Sequence, residues 1–216
     1  MNPTDLNRTL RQPQRYWNID GLPLIGMGAL WLFWGGLLLA VSSATRHPTG
    51  VGRLLAQYGW VLVAAAAFAI NPTLKRIKAR ITVPRAGYIR VSRQNYWAPR
   101  ILGGAIAVVV ACGTVVLLAY AQKHGFTAFE RLLPAGVGVL IGGAFLFASR
   151  RLELPSYAWA GLVALLAGLA VSALTTSLDS FGWFWLVLGA ACVVVGVHDL
   201  RSFLKNHPVA APEQLS

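Results

Sequence analysis

The side chains of this chain that could bind a metal or move a proton are four histidines, two cysteines and seven carboxylates. Metal binding needs several such donors held together, usually by spacings such as CxxC or HExxH, and neither occurs here. His47, His124, His198 and His207 are scattered, while Cys112 and Cys192 each sit alone in an apolar run and read as small hydrophobes. The pair His198-Asp199 could orient an imidazole for acid–base work. Adjacent helical positions diverge, however, and a solvated or headgroup role is the simpler reading. Neither a phosphate-cradling GxxxxGK[ST] nor a nucleophile-elbow GxSxG is present, and the deep Ser and Thr positions have no base close in sequence. The chain is therefore expected not to be an enzyme and to bind no metal or cofactor.

The elements that carry these residues are those of a membrane protein. Apolar residues make up 56% and charged residues only 12%, about half the charged share of a water-soluble domain. Six apolar runs, 22–41, 54–70, 101–121, 132–148, 157–174 and 181–197, are each 17 to 21 residues long. At 1.5 Å per residue such runs match the ~30 Å of a bilayer's hydrocarbon core. The first is too long for a signal-peptide core and is read as a retained helix. The expected fold is an all-α transmembrane bundle of three helical hairpins, 22–70, 101–148 and 157–197, with a polar N-terminal segment 1–21, a loop 71–100 and a tail 198–216.

The net charge of +12 could suggest nucleic acid, but the basic residues lie between apolar runs, where membrane topology explains them. With the N-terminus inside, the inner segments hold Arg8, Arg11, Arg15, the eight basic residues of 71–100, Arg150, Arg151, Arg201 and Lys205. The outer loops hold only Arg46, Arg53, Lys123 and Arg131. Fifteen against four argues for a cytoplasmic-membrane protein with both termini in the cytoplasm.

The loop 71–100 is the densest basic stretch and has no acidic residue. Lys75, Arg76, Lys78, Arg80, Arg85, Arg90 and Arg93 are candidate contacts for anionic headgroups or a protein partner. Asn71 suits an N-cap and Pro72 a first helical position, followed by Leu74, Ile77 and Ile81 on one face of a short amphipathic helix. Ile81, Val83, Ile89 and Val91 then alternate with polar residues around Pro84 and Gly87, which reads as a small β-hairpin or as an irregular loop pinned at the interface. The run Ile81-Thr82-Val83-Pro84-Arg85-Ala86-Gly87-Tyr88-Ile89 resembles the PRxGY-like basic loop of a family of uncharacterised small bacterial multi-spanning membrane proteins. The resemblance covers nine residues and the helix arrangement. It implies a bacterial inner-membrane setting and no catalytic residue.

Within the spans, Gly138 and Gly142 form GxxxG, and Gly161 with Gly168 and Gly189 with Gly196 repeat at seven, so each pair marks a face for close helix packing. Trp31 and Trp34 share a face near the middle of the first span, where they could line an apolar cavity or simply pack. Trp159, Trp183 and Trp185 are expected in the aromatic belts at the interfaces. No Asp, Glu, Lys, Arg or His lies mid-span, which argues against an ion-coupled carrier. Two functional readings follow. One is an interaction or accessory module that uses the basic cytoplasmic loop. The alternative is a facilitator for a small neutral or apolar solute, with Gln57, Tyr58, Ser172, Thr175 and Thr176 as its thin polar lining.

Overall fold

A computed structural model of the chain describes residues 18–46, 50–82, 126–174 and 179–206. Among them the chain is helical and without strands: α1 (Leu22–Arg46), α2 (Gly50–Ile81), α3 (Phe126–Leu152), α4 (Pro155–Leu174) and α5 (Asp179–Asn206). All five helices are long and apolar enough to cross a membrane. The helix is the form that lets such a segment satisfy every backbone polar group without water. The expected span at 101–121, the hairpin around Pro84 and Gly87, and the ends 1–17 and 207–216 lie outside the described residues.

Helix pairing follows the glycines. α1 and α5 run antiparallel with Gly21 against Gly196, Gly28 against Gly189 and Gly35 against Gly182, so the glycines recur every seven residues on both helices. A Cβ built on Gly28 would stand 2.7 Å from the Gly189 carbonyl oxygen, and one on Gly189 would stand 2.7 Å from the Leu32 nitrogen. This seam is backbone against backbone. α3 and α4 make the second close pair, where a Cβ on Gly138 would meet the Ala164 carbonyl oxygen at 2.7 Å and one on Gly142 the Gly161 carbonyl oxygen at 2.9 Å. α1 touches α2 and α4 touches α5, while the partner expected for α3, residues 101–121, lies outside the described residues. Among the described helices the closest pairs are α1 with α5 and α3 with α4, the two in which small residues face one another.

Between the two pairs the core is filled by large side chains. Phe145, Tyr157, Phe184, Leu188 and Cys192 are buried, with Trp31 and Trp185 packed against them. Trp31 meets Phe145 edge-on at 5.8 Å between ring centroids and Trp185 at 5.6 Å.

α2 and the turn between α3 and α4 show how local rules are overridden. α2 continues through Asn71 and Pro72 to Ile81, so no separate amphipathic helix begins at Asn71, and Ile81 is helical where strand alternation was expected to start. Pro72 cannot donate to the carbonyl four residues earlier, a loss membrane helices tolerate when nearby hydroxyls compensate. Beside it, the Thr73 hydroxyl donates to the Ala69 carbonyl at 2.7 Å. α3 also contains a proline, Pro134, and the next amide, Ala135 N–H, donates to Ser172 Oγ of α4 at 2.9 Å. α3 ends with Leu154 N–H donating to the Ser149 carbonyl, a six-to-one closure that puts Glu153 in the left-handed region at φ 56°.

Candidate functional site

One end of the bundle gathers the start of α1, the end of α2, the α3–α4 junction and the end of α5. Its centre is Asp20, a residue of the polar N-terminal segment 1–21 and here fully buried. The chain reaches it through a turn that only glycine takes easily: Gly21 has φ 69°, and a Cβ there would stand 2.8 Å from Asp199 Cβ. Asp20 Oδ1 accepts the Leu22 amide at 3.2 Å, while the Gly21 carbonyl accepts the first helical bond from Ile25. Asp20 thus helps to cap α1, where a carboxylate also suits the positive end of the helix dipole.

The same carboxylate fastens α2. Lys78 Nζ lies 2.9 Å from Asp20 Oδ1 and 2.8 Å from Oδ2, and the Thr82 hydroxyl donates to Oδ2 at 2.9 Å. Lys78 is 4% exposed, so it does not belong with the surface contacts among which its position in a basic stretch had placed it. The correction has a simple cause. One turn of helix carries Lys78 onto the α1 side of α2, while Lys75, Arg76 and Arg80 remain exposed on the other faces. Next to this group the Tyr157 hydroxyl donates to Asn18 Oδ1 at 2.7 Å, tying the start of α4 to the residues before α1.

Around this sealed centre the end of the bundle is basic. Lys75, Arg76 and Arg80 are joined by exposed Arg150 at the end of α3 and by exposed Arg201 and Lys205 at the end of α5. Three helix C-termini thereby present cations, which complement the negative ends of their dipoles. Arg85, Arg90 and Arg93 lie outside the described residues. The opposite end is tied differently, by the Ser42 hydroxyl donating to Asp179 between α1 and α5.

The remaining candidates fall as follows. Gly138 and Gly142 lie against α4. Trp31 is part of the packed aromatic core, whereas Trp34 is half-buried outside it. Trp159 and Trp183 are exposed, but Trp185 points inward, with Nε1 buried and without a hydrogen-bond partner among the described residues, so it does not join the interfacial belt expected of it. His198 Nδ1 stands 3.7 Å from Asp199 Oδ1, too far for a hydrogen bond, on an exposed imidazole. Among the described residues no three of His, Cys, Asp and Glu come together.

Sequence reasoning missed the Asp20–Lys78 pair and the glycines of α1. A signal for the first was present: Asp20 is one of only seven acidic residues and immediately precedes a span, on the side to which the second span returns. For the second, Gly21, Gly28 and Gly35 repeat at seven as visibly as Gly189 and Gly196 do. Compared with known proteins, the chain matches no family model, no curated protein and no solved structure.

Proposed function

We propose that the protein is a non-enzymatic interaction or accessory module of a bacterial inner membrane, with six spans, both termini in the cytoplasm and a basic cytoplasmic face that meets an anionic partner. The observation that carries this reading is the collection of Lys75, Arg76, Arg80, Arg150, Arg201 and Lys205, exposed from three helices at one end, around an aspartate whose charge is already matched by Lys78. Cations presented this way attract anionic headgroups or acidic protein segments at about 1 kcal/mol per residue near a membrane surface. Six spans are favoured by connectivity. α2 and α3 both finish at the basic end, the arrangement expected if the apolar run 101–121 is a further span. The basic bias of the inner segments supports the orientation.

The facilitator alternative has less behind it. Its proposed Trp31 lining is in contact with Phe145 and Trp185, which fill the middle of the bundle. Purification with gentle lipid retention, followed by identification of bound lipids and proteins, separates the two readings. Enrichment of anionic lipid or of an acidic protein partner, reduced several-fold in Lys75→Gln/Arg76→Gln/Arg80→Gln, is expected. Retention that is indifferent to those substitutions and to salt would remove the basic face from the function.

A further inference from the structure

The outward face of α2 is apolar for most of its length and then cationic. Among the described helices α2 touches only α1, on the side that carries Leu74 and Lys78, so none of them covers the opposite side. There Val61, Phe68 and Lys75 recur every seven residues and Leu62 and Arg76 stand fourteen apart, so two lines of exposed apolar side chains each lead to a cation. Phe68 is 83% exposed, and Arg80 stands one turn beyond Arg76. We infer that this face binds one anionic phospholipid, with its phosphate among Lys75, Arg76 and Arg80 and its acyl chains along Phe68, Leu62 and Val61.

The charge of this face has no counterpart among the described residues. Residues 50–82 contain no Asp or Glu. At the basic end Asp20 already holds Lys78, while Glu153 and Asp199 stand on the α3–α4 turn and on α5, and none of α3, α4 and α5 touches α2. Glu130 and Asp179 belong to the first turns of α3 and α5, toward the opposite end, and Asp5 and Glu213 lie outside the described residues. The apolar run 101–121 has no acidic residue either, so laying it over this face would leave three cations without an anion. A phospholipid supplies the anion and the apolar cover together. At 1.5 Å per residue Phe68 lies about 10 Å and Val61 about 21 Å below Lys75. A phosphate at the level of the cations thus sets acyl chains over Phe68 and on toward Val61, near the middle of a hydrocarbon core whose half-thickness is ~15 Å. An acidic protein segment would answer the cations at the surface and leave Phe68 and Val61 untouched. The buried pair of Asp20 and Lys78 fixes the rotation of α2 that turns the other three cations outward.

This inference rests on the reading that the basic end meets an anionic partner, and the test keeps the two apart. The full chain with Ala65→Cys in a Cys112→Ala/Cys192→Ala background carries a fluorophore on the outward face of α2, about 15 Å below Lys75. It is reconstituted in phosphatidylcholine nanodiscs that hold a small fraction of either phosphatidylglycerol or phosphatidylcholine brominated on the acyl chains. Brominated phosphatidylglycerol is expected to quench several-fold more strongly than brominated phosphatidylcholine at the same fraction, and millimolar glycerol phosphate, which has no chains, should not reduce the difference. Each of Lys75→Gln, Arg76→Gln and Arg80→Gln should lower the preference by up to about fivefold, and the triple variant should lose it. Quenching by brominated phosphatidylcholine should persist in the triple variant, which separates loss of the cations from loss of the fold. A preference that survives the triple variant, or equal quenching by the two lipids in the wild type, would overturn the inference. Quenching by neither lipid would assign the face to protein, and displacement by glycerol phosphate would assign the cations to a soluble anion; both overturn it equally. Anionic lipid or acidic protein that still co-purifies through the three cations would then preserve the wider reading without the α2 site, and co-purification indifferent to them would reject both.

Discussion

α1 is held on two sides by two kinds of contact. Against α5 it presents Gly21, Gly28 and Gly35 to Gly196, Gly189 and Gly182, and the backbones meet along the length of the helix. Against α2 the contact is sparser and is fastened at one end by a charge, the buried Asp20–Lys78 pair, while Leu54, Tyr58, Leu62 and Phe68 of α2 stay exposed for lipid. Lipid tails are as apolar as the side chains they replace, so burial alone gives little drive for two helices to associate in a membrane. The seam gains its stability from many small dispersion contacts made at short range. The latch gains it from one electrostatic contact that is strong where water is excluded. A seam tolerates no added atoms anywhere along it, and a latch tolerates the loss of neither partner.

The largest expected effect therefore lies at the latch. Lys78→Met leaves Asp20 buried and without its counter-charge, which costs about 3–5 kcal/mol for a buried pair broken on one side. Asp20→Asn/Lys78→Met removes both charges and should recover most of that loss. Thermal unfolding in lipid nanodiscs reads both variants, and protease access to the end of α2 reads where the damage lies. A single variant as stable as the wild type, or a double variant no better than the single, would mean that the pair does not hold α2.

The seam is broken by adding atoms. Gly189→Ala places a methyl 2.7 Å from the Leu32 nitrogen and 2.8 Å from the Gly28 carbonyl oxygen, both of them backbone atoms that cannot step aside. Overpacking of this kind costs about 1–3 kcal/mol. Gly36, which neighbours Gly35 of the seam but has nothing within 4 Å of its Cβ position, is the internal control. Gly36→Ala should stabilise α1 by up to about 1 kcal/mol through helix propensity alone. If both substitutions shift the unfolding temperature in the same direction, the distinction between a seam face and an open face fails.

This contrast also explains what could be read from the sequence. Five helices were legible because hydropathy over twenty residues is a local property, and the glycine repeats at 189 and 196 were legible because a heptad is one too. α2 was cut short at Asn71 because an Asn-Pro start is a sound local rule, and what overrides it lies partly in Thr73 and partly in Asp20, more than fifty residues away. Lys78 was grouped with Lys75, Arg76 and Arg80 for the same reason. Charge density along the chain does not say which of four basic residues turns inward, and an acidic partner on another helix does. The close packing of α1 on α5 was not legible, because it joins the first and last described helices through small-residue faces that no chain link brings together.

The smallest effect tests whether a charged residue at this end of the bundle serves by its charge or by its backbone. Glu153 joins α3 to α4 in the left-handed conformation at φ 56°, the position after a helix that usually belongs to glycine. A residue with a Cβ is disfavoured there by roughly 1 kcal/mol, and its side chain, exposed at the turn, gains little from any ion pair it makes. Substitution by glycine alone would mix the relief of that conformation with the loss of the side chain, so two variants are needed. Glu153→Ala removes the carboxylate and keeps the Cβ, and Glu153→Gly removes both. The difference between them isolates the backbone contribution, because the lost side-chain contact is common to the two. Glu153→Gly should be more stable than Glu153→Ala by about 1 kcal/mol, despite the greater freedom glycine gives the unfolded chain. Equal stabilities in nanodiscs would mean that the turn relaxes out of the left-handed region once the glutamate is gone, and that its charge rather than the closure of α3 holds Glu153 there.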